Sequence, residues 1–117
     1  MDKAQDVNKT HSTGVTPLDS AAQNDHEAIV RALIELVADV NKAGDNGATP
    51  LFIAAQNGHE AIVRALIEAG ADVNKAGDDG VTPLFIAAEK GHEAIVRSLM
   101  EVGADVNTAR DNGGTPP

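Results

Sequence analysis

Gly47-Ala48-Thr49-Pro50-Leu51-Phe52-Ile53-Ala54-Ala55, then Gly58-His59-Glu60-Ala61-Ile62-Val63-Arg64-Ala65-Leu66, then Gly70-Ala71-Asp72-Val73-Asn74 form the middle copy of a 33-residue unit. The same period carries Thr16-Pro17, Thr49-Pro50, Thr82-Pro83 and Thr115-Pro116, and also Asp-Val-Asn at Asp6, Asp39, Asp72 and Asp105. Residues 44–76 and 77–109 differ at eight positions and agree at the other 25 of 33. Self-similarity at this period marks a stacked array, in which each unit buries its apolar face only against its neighbours.

Local chemistry dictates how one copy folds. Asn46-Gly47, like Asp79-Gly80 and Asn112-Gly113, is a turn dipeptide, which implies a projecting hairpin-type turn. Thr49 before Pro50 reads as an N-cap with proline in the first turn, where its missing N–H is not needed. A first helix then runs to about Asn57, with Leu51, Ala54 and Ala55 on the buried stripe, and stops at Gly58. A second helix starts near His59-Glu60 and ends at Gly70. Ile62, Val63, Leu66 and Ile67 form its apolar face, with Glu60, Arg64 and Glu68 opposite. The charged stripe recurs as Glu27-Arg31-Glu35 and Glu93-Arg97-Glu101 and reads as a solvated face.

The residues quoted above resemble the ankyrin repeat, with its G-x-T-P-L-H-x-A-A, G-H-x-x-I-V-x-x-L and G-A-D-V-N segments. The resemblance implies an all-α repeat solenoid of paired antiparallel helices joined by projecting β-hairpin-type turns. On this register residues 11–43, 44–76 and 77–109 are three repeats. Residues 1–10 read as the tail of a preceding one and residues 110–117 as the start of another. The family's T-P-L-H histidine is replaced by Asp19, Phe52 and Phe85, with stacked apolar contact between the two phenylalanines as the expected substitute. In the first repeat Asp19, Ser20 and Asp25 read as a water-facing cap. Val37 stands where a helix stop wants glycine, so the first repeat is expected to be locally strained there or differently terminated. No comparable polar cap follows Ile95, Leu99 and Met100, so apolar surface is expected to be exposed only at the C-terminal end. That end is expected to be either cut from a longer array or covered by another molecule.

Composition removes several function classes. Eighteen acids against nine bases leave a net charge of −9, a field that repels phosphate backbones and anionic membranes, so no nucleic-acid or membrane partner is expected. Met1 to Asp6 lacks the apolar stretch of a signal peptide, no segment is apolar enough to span a bilayer, and an intracellular, soluble, cytoplasmic chain is the default expectation. Absence of cysteine removes disulfides and thiolate metal sites but leaves the compartment open. The Asn8-Lys9-Thr10 sequon carries meaning only for a secreted chain.

No catalytic constellation emerges. His26, His59 and His92 recur once per repeat, at a spacing of roughly 8–10 Å expected for packed helices, too far apart to share a zinc with ligand bonds of about 2 Å. His59-Glu60 lacks the second histidine of H-E-x-x-H, and His11 reads as a loop residue. Asp19, Ser20 and His26 have no nucleophile elbow around them. Asp45, Asp78, Asp79 and Asp111 do not form a calcium loop, and no glycine-rich phosphate cradle occurs. We therefore expect no enzyme activity, no metal and no cofactor.

What remains is surface. Four of the eight differences, Asn46/Asp79, Ala48/Val81, Gln56/Glu89 and Asn57/Lys90, fall at turns or first-helix ends, where the family resemblance implies partner contact. The candidate protein-binding residues are Ser12, Thr13, Val15, Gln23, Asn24, Asp45, Asn46, Ala48, Gln56, Asn57, Asp78, Asp79, Val81, Glu89, Lys90, Asp111 and Asn112. Acidic tips flanked by Lys42 and Lys75 suit a basic or mixed-charge protein surface. The reading is a non-enzymatic protein-interaction module, with weak self-association through the last repeat. The alternative is a structural array unit or an engineered consensus-like scaffold without a natural target.

Overall fold

The computed structural model describes residues 15–36, 39–44 and 46–106. Six helices follow one another as three pairs: α1 (Pro17–Gln23) with α2 (Glu27–Glu35), α3 (Pro50–Asn57) with α4 (Glu60–Glu68), and α5 (Pro83–Lys90) with α6 (Glu93–Glu101). The described residues contain no strand. The first helices pack α1 on α3 on α5, the second helices α2 on α4 on α6, and each helix packs on its pair mate. This is the expected all-α solenoid.

Each first helix starts at a threonine cap. Thr16, Thr49 and Thr82 accept from the backbone N–H of Asp19, Phe52 and Phe85 at 3.0, 3.2 and 3.1 Å, and proline follows each cap. The helices α3 and α5 stop at Gly58 and Gly91, both left-handed, at φ 78° and 79°. Asp25 occupies the corresponding place after α1 with φ 61°, as the only non-glycine residue at positive φ among those described. Its carboxylate lies 3.7 Å from the His59 ring, an exposed contact that contributes little. Asp25→Gly is expected to raise stability by about 0.5–1 kcal/mol in urea denaturation, because it relieves side-chain crowding in the left-handed region. A lower midpoint would show that the His59 contact outweighs the strain.

The core is built as the periodicity requires. Leu51, Ala54 and Ala55 are buried on α3, and Ile62, Val63 and Leu66 on α4. Phe52 and Phe85 are half-buried against this core. Glu60–Arg64 and Glu93–Arg97 pair on the exposed face, as does Glu27–Arg31 at 2.9 Å.

Three expectations about the ends need correction or fall outside what is described. Asp19 does not face water: it is 1% exposed, because its carboxylate turns back to its own helix start. Ile95 and Leu99 are buried, since that face of α6 looks back at the preceding pair. Nor is apolar exposure confined to the C-terminal side. Ile29, the equivalent of buried Ile62, is 51% exposed, and Leu36 is 62% exposed. The forward-looking positions behave oppositely, with Ala55 and Val63 buried while their equivalents Ala88 and Val96 are not. Val37 lies outside the described residues, as do Ser12, Thr13, Asp45, Asp111 and Asn112.

Candidate functional site

Neighbouring repeats are tied by three sets of polar contacts, and these fix the surface between the turns and the first helices. His59 Nε2 donates to the carbonyl of Gln23 at 3.0 Å, and His92 Nε2 repeats this with Gln56 at 3.0 Å. A carbonyl can only accept, so both rings carry their proton on Nε2. The amide oxygens of Asn41 and Asn74 accept from the backbone N–H of Asp72 and Asp105, each at 2.7 Å. Within the Asp-Val-Asn triplets of residues 39–41 and 72–74 the Asp39 and Asp72 carboxylates accept from Asn41 N–H and Asn74 N–H at 3.0 Å, which presents each asparagine to the next repeat. Finally, Asp78 N–H donates to the Asn46 carbonyl at 3.2 Å and links two projecting turns.

Each turn is also closed internally. Gly44 N–H donates to the Ala48 carbonyl and Gly77 N–H to the Val81 carbonyl, at 2.9 and 3.0 Å. The Asn46 and Asp79 side chains accept from the N–H groups of Ala48 and Val81 at 3.0 and 3.2 Å. These two candidate residues therefore hold their own turns as well as lining the surface.

Val15, Asp19, Gln23, Gly44, Asn46, Ala48, Phe52, Ile53, Gln56, Asn57 and Asp79 line one groove between the first helices and the turns. Seven of the sequence candidates meet there: Val15, Gln23, Asn46, Ala48, Gln56, Asn57 and Asp79. Four residues that were not candidates join them: Asp19, Gly44, Phe52 and Ile53. Asn24 and Asp78 are exposed outside the groove lining, and Lys90 is exposed at the end of α5. Glu89 lies in a separate apolar groove with Leu84, Phe85, Ala88, Val96, Met100 and Val106. Val81 is 3% exposed and presents no side-chain surface.

Asp19 is the chemically unusual member. Its Oδ2 accepts from Thr16 N–H at 3.0 Å, completing a capping box, whereas its buried Oδ1 has no hydrogen-bond partner. Burial pushes this carboxyl above the ordinary carboxylate value of 3.8, against the opposing hydrogen bonds from Thr16 and the attraction of Lys42. A raised folded-state value means that the folded chain holds this proton more tightly than the unfolded chain does. The carboxyl's favourable contribution is then present below 3.8 and is lost as pH rises through the raised folded value. Asp19→Asn keeps an oxygen for Thr16 N–H and removes the charge. Its stability relative to the parent is expected to increase between about pH 4 and pH 7 in urea midpoints. A difference that stays constant with pH would show that the carboxyl is not perturbed.

Among the described residues no group of three metal-ligating side chains converges, and no helix is long and apolar enough to cross a membrane. The family model described as ankyrin repeats (3 copies) matches residues 35–110, and the single ankyrin-repeat model matches residues 13–45. A comparison with curated proteins returns no match. With the helix pairs, capped turns and inter-repeat ties in place, and a family model covering more than half of the sequence, the chain belongs to the ankyrin-repeat family.

Proposed function

We propose that the chain is a non-enzymatic module that binds a protein partner through its hairpin tips and the concave face of its first helices. Ankyrin repeats are in general protein-interaction modules. The observation that carries the reading here is the groove at the turn–helix junction, where amide and acidic side chains surround the half-buried Phe52. Such a mixture suits a specific polar rim around an apolar contact. The net charge of −9 favours a basic or mixed-charge partner. Partners captured from lysate and identified by mass spectrometry should be lost when Asp78, Asp79 and Lys90 are substituted together, at a temperature where circular dichroism shows the variant still folded, since Asp79 also closes its own turn. Full retention would remove the tips from the binding surface.

A second reading rests on the apolar groove of the last pair, lined by Leu84, Phe85, Ala88, Val96 and Met100, with Met100 52% and Val106 59% exposed. This face supports weak self-association, because contiguous apolar surface of that kind tends to be covered. Sedimentation is expected to show concentration-dependent dimers that Met100→Lys abolishes. A chain that remains monomeric at high concentration contradicts it.

A further inference from the structure

We propose that copies of this chain stack head to tail, the first helix pair of one copy seating on the last pair of another in the register that joins repeats within the chain. The inference rests on the self-association proposed above and names the surface that covers the apolar groove of the last pair. The chain itself shows what such a groove receives. On the side that looks back at the preceding pair, Pro50 and Pro83, Ile62 and Ile95, and Ala65 and Ser98 are all buried. The same positions of the first pair, Pro17, Ile29 and Ala32, are exposed. The forward side shows the complementary pattern. Ala22, Ala55, Val30 and Val63 are buried with a further pair beyond them, whereas Ala88 is exposed and Val96 half-buried. The two open faces are thus the two halves of an interface that the chain already makes twice, and Ile29 and Ala32 are the same residue types as Ile62 and Ala65.

The polar ties of that interface have their halves in place as well. His59 and His92 each donate across a repeat junction, to the carbonyls of Gln23 and Gln56 at 3.0 Å. A Cβ on Gly58 would lie 2.9 Å from the His92 ring, so this glycine floors the seat of the histidine. At Gly91, its equivalent in the last pair, nothing lies within 4 Å of the same point. His26 is exposed and its side chain makes no cap hydrogen bond with its own helix. In the proposed register His26 of one copy covers Gly91 of the next and donates to the Glu89 carbonyl. Arg31 and Glu68 approach to 3.8 Å across the first junction, and the corresponding pair between copies is Arg97 with Glu35. An exposed pair of this kind adds little strength and favours the register. Because the interface joins unlike faces, a dimer keeps one of each open and a third copy adds in the same way.

The test is sedimentation of the full 117-residue chain and of two variants, Ile29→Lys on the backward face and Met100→Lys on the forward face. The net charge of −9 on each copy opposes the encounter, so high salt is used to screen it. The parent is expected to dimerise and then grow beyond the dimer as concentration rises. Each variant alone is expected to stay monomeric with an unchanged circular dichroism spectrum. Mixed in equal amounts, the two should form a one-to-one dimer and nothing larger, because each supplies the face that the other lacks. Should Ile29→Lys fail to fold, Ala32→Lys, exposed on the same face, takes its place. His26→Ala is expected to lower the parent's association constant by about two- to tenfold through the lost hydrogen bond, and an unchanged constant would reject the register. Dimers of Ile29→Lys alone, or folded variants that stay monomeric when mixed, would overturn head-to-tail stacking and leave self-association through the last pair standing. A parent that is monomeric at every concentration would overturn both.

Discussion

Leu66→Ala is expected to lower unfolding stability by about 2–5 kcal/mol, whereas Glu68→Ala, two residues on, should lower it by less than about 0.5 kcal/mol. Leu66 is fully buried on α4, which packs against α2, α3 and α6 at once. A cavity there loosens three contacts, and a thin array has little other core to absorb the loss. Glu68 has a 71% exposed side chain, and Arg31, its nearest cation across the repeats, is 3.8 Å away and half exposed. Urea denaturation of both variants separates them. Similar losses at the two sites would mean that α4 presents a different face to its neighbours.

Gly47→Ala is expected to destabilise the chain by about 2–4 kcal/mol, roughly twice the effect of Gly91→Ala. Both glycines have φ 79°, so the left-handed strain of a new Cβ, about 1–2 kcal/mol, is common to both. They differ in what the Cβ meets. At Gly91 nothing lies within 4 Å, whereas at Gly47 it would sit 2.6 Å from Asp78 Oδ1 and 2.7 Å from Asp78 N. Relief of that clash has to separate the two turns and give up the Asp78–Asn46 hydrogen bond. Because Asn46 and Asp79 line the groove, the same substitution should weaken partner binding, while Gly91→Ala leaves binding unchanged. Equal destabilisation would show that the turns are not stacked this closely.

What could be read from the sequence was whatever depends on chemistry within one repeat. Thr49 and Pro50 open a helix because a hydroxyl caps the free N–H groups and proline needs none, and Gly58 closes it because its backbone turns left-handed. Leu66 falls inside and Arg64 outside by periodicity alone. The features that escaped depend on register between repeats. His59 and His92 give no sign in sequence that their rings reach a carbonyl 36 residues earlier, nor does Asn74 that it meets Asp105 N–H. Asp19 was read as part of a water-facing cap because polar residues suit the exposed end of an array. It is buried instead, with its carboxylate turned back onto Thr16 N–H at the start of its own helix. Val81 was grouped with Ala48 by equivalence, yet only Val81 is buried. The apolar ends were misjudged for a related reason: each repeat looks backward with Ile29, Ile62 or Ile95 and forward with Val30, Val63 or Val96, and sequence identity hides that direction.

Protein binding through the groove between the first helices and turns, proposed above, is tested most directly by mapping amide NMR shifts of the full chain on addition of a protein partner captured from lysate. The largest shifts are expected at Val15, Asp19, Gln23, Asn46, Phe52, Gln56 and Asp79. Shifts concentrated on the outer face, at Arg31, Arg64 and Arg97, with the groove residues unmoved, would contradict it.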